Sequence, residues 1–300
     1  MAITFEAIFD CKKDEVTLTE ILPDGSRDKR AVDLEEISKA KELSQNLDWT
    51  RSENTSRKIG EILFDILNGD RQLLVRVLEE AAAHGERLCL LVRSDNLDLP
   101  FELLYHFEFL TPSRIHLIRR VSDWGSKKKP ECENRPLKVL FMACSPEELS
   151  PVLEYEKEEE KIFEITQKLP VDIDVEDTGS LDGLFERLTQ KRYDVIHITG
   201  HASIRKDGIP FFWMEDEEGS PVQVTPSQLW EKIELNPPRL LFLSGCRTGQ
   251  TPLAAYSFAH YLVERHNSTV LGWGLPVTDK GATVAAKRLY FELSRGSSLT

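Results

Sequence analysis

"LLFLSGCRTG", residues 240–249, opens on four consecutive apolar side chains and stops at a thiol set among small residues. Leu240, Leu241, Phe242 and Leu243 show no polar alternation, so they read as a strand covered on both faces, as strands are inside parallel sheets. Ser244 and Gly245 then loosen the backbone before Cys246, Arg247, Thr248 and Gly249. Cysteine packs well in cores, which is one explanation of Cys246. A chemical role needs a partner for the thiol elsewhere in the chain.

Around this stretch the pattern repeats. "LKVLFMAC" (137–144), "VDIDVED" (171–177), "YDVIHITG" (193–200) and "STVLGWGLPV" (268–277) read as strands. Helical periodicity runs from Glu154 to Lys168, through "SLDGLFERL" with Ser180 as its cap, and through "PSQLWEKI" capped by Thr225 or Ser227. It returns in "AAYSFAHYLVERH" and in "TDKGATVAAKRLYFELSR". "GIPFFWMEDEEGSPVQV" reads as a hairpin. Strands alternating with helices predict an α/β fold, a mostly parallel sheet with helices on both faces. In such sheets function collects at the carboxyl ends of the strands.

Residues 1–125 read differently. Residues 2–9 alternate, "VTLTEILPDGS" is a strand running into a Pro-Asp-Gly turn, and Asp33 to His84 is helical, with Ile59, Ile62, Leu63, Ile66 and Leu67 at three-and-four spacing. "LCLLVRS" and "IHLIRRV" are strands flanking "LDLPFELLYHFEF". This is an amino-terminal α+β subdomain with no chemical motif. "SDWGSKKKPECENRP" (122–136) shifts to polar residues and prolines. It places a linker at 126–135 and the second subdomain at 136–300, the three lysines reading as linker.

The chain carries 38 basic and 51 acidic residues, a net charge of −13. Phosphate neutralisation needs a basic surface, so nucleic acid is not expected as a direct partner, nor an anionic membrane. Five cysteines at wide spacing, with no CxxC, fit free thiols in a reducing compartment rather than a disulfide framework or a zinc site. No signal peptide or membrane-length apolar run is evident. The expected location is cytoplasmic. No GxxxxGK[ST] or GxGxxG is present, so nucleotide binding has no motif, and no cofactor is expected.

Two strands end in reactive side chains. "YDVIHITGHAS" reaches Gly200-His201 and "LLFLSGC" reaches Gly245-Cys246, 45 residues later, room for a hairpin and a crossover helix. If the strands are neighbours, imidazole and thiol face one crevice, and the His can serve as base or pair with a thiolate. Cys144 also ends a strand, but no histidine motif accompanies it, and it reads as packing. His197 shares the His201 face by alternation but lies deeper, as a core histidine.

"HITGHAS" followed by "FLSGCRTG" resembles the His-Cys pair of the CHAT protease family, caspase-like cysteine peptidases also related to separase. "DLPFELLY", "IHLIRRV", "EYEKEEEKI" and "VLGWGLPVTDKGATVAAKRLYFEL" resemble stretches common in CHAT domains. The resemblance implies a caspase-like fold and a cysteine endopeptidase acting on a protein or peptide. It implies His201 as catalytic histidine, Cys246 as nucleophile, and the backbone N–H groups of Ala202 and Cys246 as oxyanion hole. The family usually has glycine where Ala202 stands. "VTDKG" (277–281) is similar to a separase stretch whose aspartate lines a pocket for a basic residue. Asp279 therefore either fills that role or stabilises a helix start, and Trp273 either walls the same pocket or belongs to the core. CHAT domains are commonly fused to helical repeats or NTPase modules, so a regulatory sensor, fused or bound, is implied. The alternative is a CHAT-type scaffold that signals by binding, with its dyad idle.

Overall fold

The computed structural model describes residues 3–12, 14–45, 52–94, 99–111, 113–120, 135–146, 148–149, 155–245, 258–263, 269–273 and 279–296. The chain divides into two compact units, Met1–Asp123 and Trp124–Leu299. Of the expected linker at 126–135, only Arg135 falls among the described residues.

The first unit runs β1 (Thr4–Lys12), β2 (Glu15–Ile21), β3 (Arg27–Val32), α1 (Leu34–Gln45), α2 (Glu53–Asn68), α3 (Leu73–Ala83), β4 (Leu88–Ser94), β5 (Tyr105–His106), β6 (Glu108–Phe109) and β7 (Ile115–Arg120). A five-stranded sheet takes the order β3-β2-β1-β4-β7. Its first three strands are antiparallel, and β4 joins β1 and β7 in parallel. Phe5, Ala7 and Phe9 of β1 are buried on one face, which leaves Ile8 on the other. The hydroxyl of Ser52 caps α2 by accepting from the Thr55 N–H, and Ile59, Leu63, Phe64, Ile66 and Leu67 form its buried stripe. Gly60 sits in that stripe because α2 presses onto the 3-10 turn Phe101–Leu103: a Cβ there would lie 2.0 Å from the Leu103 carbonyl oxygen.

The second unit runs β8 (Leu137–Ala143), α4 (Tyr155–Thr166), β9 (Val171–Glu176), α5 (Leu181–Gln190), β10 (Val195–Ile204), β11 (Pro210–Glu215), β12 (Pro221–Val224), α6 (Pro226–Ile233), β13 (Leu240–Gly245), a helical stretch over 258–263, β14 (Val270–Gly272) and α7 (Asp279–Ser294). The order β9-β8-β10-β13-β14 is parallel throughout. β13 is buried at every residue, as its unbroken apolar run requires. Ile196, Ile198, Leu241 and Leu243 pack on one face against Leu184 and Leu188 of α5, Leu229 and Ile233 of α6, and Phe258 and Leu262. Val195, Leu240 and Phe242 pack on the other against Ile162 of α4 and Ala286 and Tyr290 of α7. Helices thus cover both faces of a mostly parallel sheet. The caps form as side-chain chemistry dictates: Ser180 accepts from Gly183 N–H, and Thr225, rather than Ser227, makes a reciprocal capping box with Gln228.

Asp194 pins the entry end of this sheet. Its carboxylate holds Arg135 through two bonds of 2.8 and 3.0 Å and accepts the Lys138 N–H. Its carbonyl accepts from the Arg239 and Leu240 N–H groups. One residue therefore fixes the relative register of β8, β10 and β13, and that register decides what meets at their far ends.

Candidate active site

Residues Val195 to Gly200 of β10 pair with Leu240 to Gly245 of β13, so that Thr199 lies opposite Ser244 and Gly200 opposite Gly245. His201 and Cys246 are the next residues along each chain. Cys246 itself lies outside the described residues. Both glycines answer to packing. A Cβ on Gly245 would lie 3.1 Å from the Phe212 ring and 3.5 Å from the Ala202 Cβ, and one on Gly200 would lie 3.2 Å from the Cys144 Cβ.

β10 does not stop at Gly200-His201, where the sequence reading ends it. It continues to Ile204 and exchanges its partners: from His201 onward it pairs antiparallel with β11, His201 opposite Trp213 and Ala202 opposite Phe212. The buried Phe211, Phe212 and Met214 of β11 make that extension worthwhile. His201 is 7% exposed, on the same strand face as His197 and Thr199.

The backbone direction at Ala202 follows from the ladder. At the closed end of the β10–β11 hairpin the Arg205 N–H donates to the Ile209 carbonyl. Hydrogen-bonded pairs alternate from there, so Ser203 and His201 turn their N–H groups toward β11. Ala202 turns its N–H away from β11. The Cys144 N–H donates to the Thr199 carbonyl, which places Thr199 and His201 on the β8 side and Ala202 on the β13 side. Ala202 lies in strand backbone and is absent from the described non-glycine residues with positive φ, Gln72 and Phe107, so alanine in place of glycine brings no strain.

His197 is fully buried. Its ring stacks on Phe242 at 4.2 Å, meets Phe141 edge-on at 5.1 Å, and its Nδ1 lies 2.8 Å from the Tyr290 hydroxyl. Nε2 has no hydrogen-bond partner. Burial pushes the imidazole pKa down to about 3, so it is neutral in the folded chain. The unfolded chain, with an ordinary value near 6.5, binds the proton first as pH falls. Stability from this residue is complete above about pH 6.5 and is lost between there and about pH 3. Denaturant unfolding should therefore show about 2 kcal/mol less stability at pH 5 than at pH 8 from this residue. His197→Leu should remove that part of the pH dependence. An unchanged difference would mean that the ring is not the group responsible.

Cys144 is also fully buried. Its backbone is tied to β10, and burial, reinforced by Glu215 and Glu176, raises its thiol well above the usual range. A thiol held protonated in this way is a poor nucleophile.

Trp273 follows β14 and is partly buried. Its indole meets Phe242 edge-on at 6.0 Å, and its Nε1 donates to the Ser244 Oγ at 3.2 Å. Asp279 is the first residue of α7, and its side chain lies outside the described residues. The sequence reading passed over three further polar residues at this edge. The Thr199 hydroxyl lies 3.1 Å from both the Ser244 carbonyl oxygen and the Glu158 Oε2 of α4. The available signal was positional: Thr199 and Ser244 are hydroxyl residues inside apolar strands, each two places before His201 or Cys246.

Among the described residues no group of three or more His, Cys, Asp or Glu side chains could hold a metal ion, and no helix is long and apolar enough to cross a membrane. The family model of the CHAT domain matches residues 55–300. A search of curated proteins returns no match.

Proposed function

The chain belongs to the CHAT domain family, within the caspase-like clan, and on that premise we propose that it is a cysteine endopeptidase working through His201 and Cys246. The observation that carries this is the register of β10 and β13. It sets Gly200 beside Gly245, and His201 and Cys246 are the residues that follow these two in the sequence. The Cys246 thiol gives its proton to the His201 imidazole, and the thiolate attacks a peptide carbonyl. The Ala202 N–H, turned to the β13 side, and the N–H of Cys246 stabilise the tetrahedral oxyanion. The imidazolium returns its proton to the leaving amine as the C–N bond breaks, and water then hydrolyses the thioester. Asp279 selects a basic residue before the scissile bond, with Trp273 on the wall of that pocket. A sensor module, fused or bound, regulates the reaction.

A peptide acyloxymethyl ketone, which alkylates an activated thiolate, should label Cys246 in the full chain, with the site read by mass spectrometry. The depth and raised pKa of Cys144 make it a poor target. Label on Cys144 with Cys246 untouched would refute the assignment.

A further inference from the structure

Ser244, two residues before Cys246, is held from both sides. From β10, the Thr199 hydroxyl lies 3.1 Å from both the Ser244 carbonyl oxygen and the Glu158 carboxylate, two acceptors that share its one proton. From beyond β14, the Trp273 N–H donates to its hydroxyl at 3.2 Å. We propose that Thr199 and Trp273 are positioning residues, which act through Ser244 to fix where β13 delivers the nucleophile relative to His201. The inference rests on the peptidase reading above.

Thr199 and Ser244 are 2% and 0% exposed, in strands whose other buried residues, His197 and His201 apart, carry no polar side chain. A buried hydroxyl without a partner costs about 1–3 kcal/mol, so two of them facing one another across a strand pair need a reason. The parallel ladder already joins β10 to β13 through its backbone. Among the described residues that ladder reaches Gly245, the residue before Cys246. The Thr199 bond adds a side-chain tie at the last register step before Gly245. Glu158 carries the tie to α4, and Trp273 adds one from the opposite flank, its ring seated on Phe242. The direction in which the chain leaves Gly245 decides the thiol–imidazole distance, and a displacement of about 1 Å in such a pair costs on the order of 10²-fold in rate.

The thiol's own titration reads this geometry without a known substrate. Among the described residues, the titratable groups near Ser244 are Glu158 from α4, His197 and His201 from β10, and Tyr290 from α7, which burial and Glu158 keep protonated. A thiolate paired with the His201 imidazolium is reactive well below the free-thiol pKa of about 8.5. Iodoacetamide alkylation of Cys246 in the full chain, followed by mass spectrometry, should be fast at about pH 6 in the wild type. Thr199→Val keeps shape and loses the hydroxyl. It should slow alkylation about tenfold at about pH 6, the effect of one pKa unit, and leave the rate at about pH 9.5 unchanged. Thr199→Ser should restore the wild-type profile, which a general loss of packing would not allow. Should Thr199→Val fail to fold, Trp273→Phe carries the same test, since it keeps a ring against Phe242 and drops the N–H. A variant profile that superimposes on an activated wild type overturns this inference alone. A wild-type Cys246 that titrates like the thiol of His201→Ala overturns the dyad, and the inference with it.

Discussion

His201→Ala should lower kcat/KM on a fluorogenic peptide by about 10³-fold and leave the melting temperature within a few degrees of wild type. The rate loss follows from the loss of proton transfer to and from the sulfur and the leaving amine, worth about 10²–10⁴-fold for a placed base. The modest stability change follows from position. His201 lies where β10 leaves the parallel sheet for the β11 hairpin, and its backbone pairing with Trp213 survives the substitution. His197, four residues earlier on the same face, behaves oppositely. It is packed between Phe141 and Phe242 and bonded to Tyr290, so His197→Ala opens a cavity in the core on the α4–α7 face of the sheet. The pair is diagnostic: one variant folded and inactive, the other destabilised. Steady-state kinetics and thermal unfolding on both variants check it. If wild type and His201→Ala both cleave at background under activating conditions, the dyad is idle and the chain signals by binding.

Why much of the fold was legible, and parts of it were not, comes down to range. A strand buried on both faces must be apolar throughout, and β13 announces itself as Leu240 to Leu243. Amphipathic helices announce themselves by period, as α2 does through Ile59, Leu63, Ile66 and Leu67, all buried; Ile62, read with them, is only partly buried, and Phe64, which is buried, was not read. Gly200-His201 and Gly245-Cys246 stood out because the glycines mark close approach, which the structure explains through Cys144, Phe212 and Ala202. The continuation of β10 to Ile204 was not legible. "HAS" carries no strand signal of its own, and its partner is set by the hairpin that follows. Nor was the Tyr105–Phe109 hairpin, whose tip residue Phe107 takes φ +63°, a conformation no aromatic signals in sequence. The tie from Thr199 to Ser244 and Glu158, and the hub at Asp194, join residues 41 to 59 positions apart through single side chains. Such bonds leave no periodic trace. They follow once the register is known, and the register itself depends on contacts at the opposite end of the sheet.

Asp279→Asn should cut kcat/KM for peptides with arginine before the scissile bond by about 10²-fold, roughly 2.7 kcal/mol, and change neutral peptides by less than about threefold. β14 is the strand next to β13 in the sheet, and α7 begins at Asp279 shortly after it, downstream of Trp273. A carboxylate there can take a guanidinium through two parallel bonds. Removing a charge that faces a desolvated cation costs far more than removing one at an exposed pair, because the cation keeps its desolvation penalty and loses its partner. The competing role is local. An acid at the first residue of a helix gains about 0.3–1 kcal/mol from the macrodipole, and asparagine serves a helix start nearly as well. The two roles therefore separate cleanly. A pocket acid gives a large, arginine-selective loss with unchanged melting, whereas a helix-start acid gives a small, unselective change. Paired kinetics on two peptides that differ only in arginine against norleucine measure the ratio directly. Equal losses on both would assign Asp279 to the helix. A wild-type preference for the norleucine peptide would end the basic-pocket proposal and leave the Cys246–His201 peptidase standing.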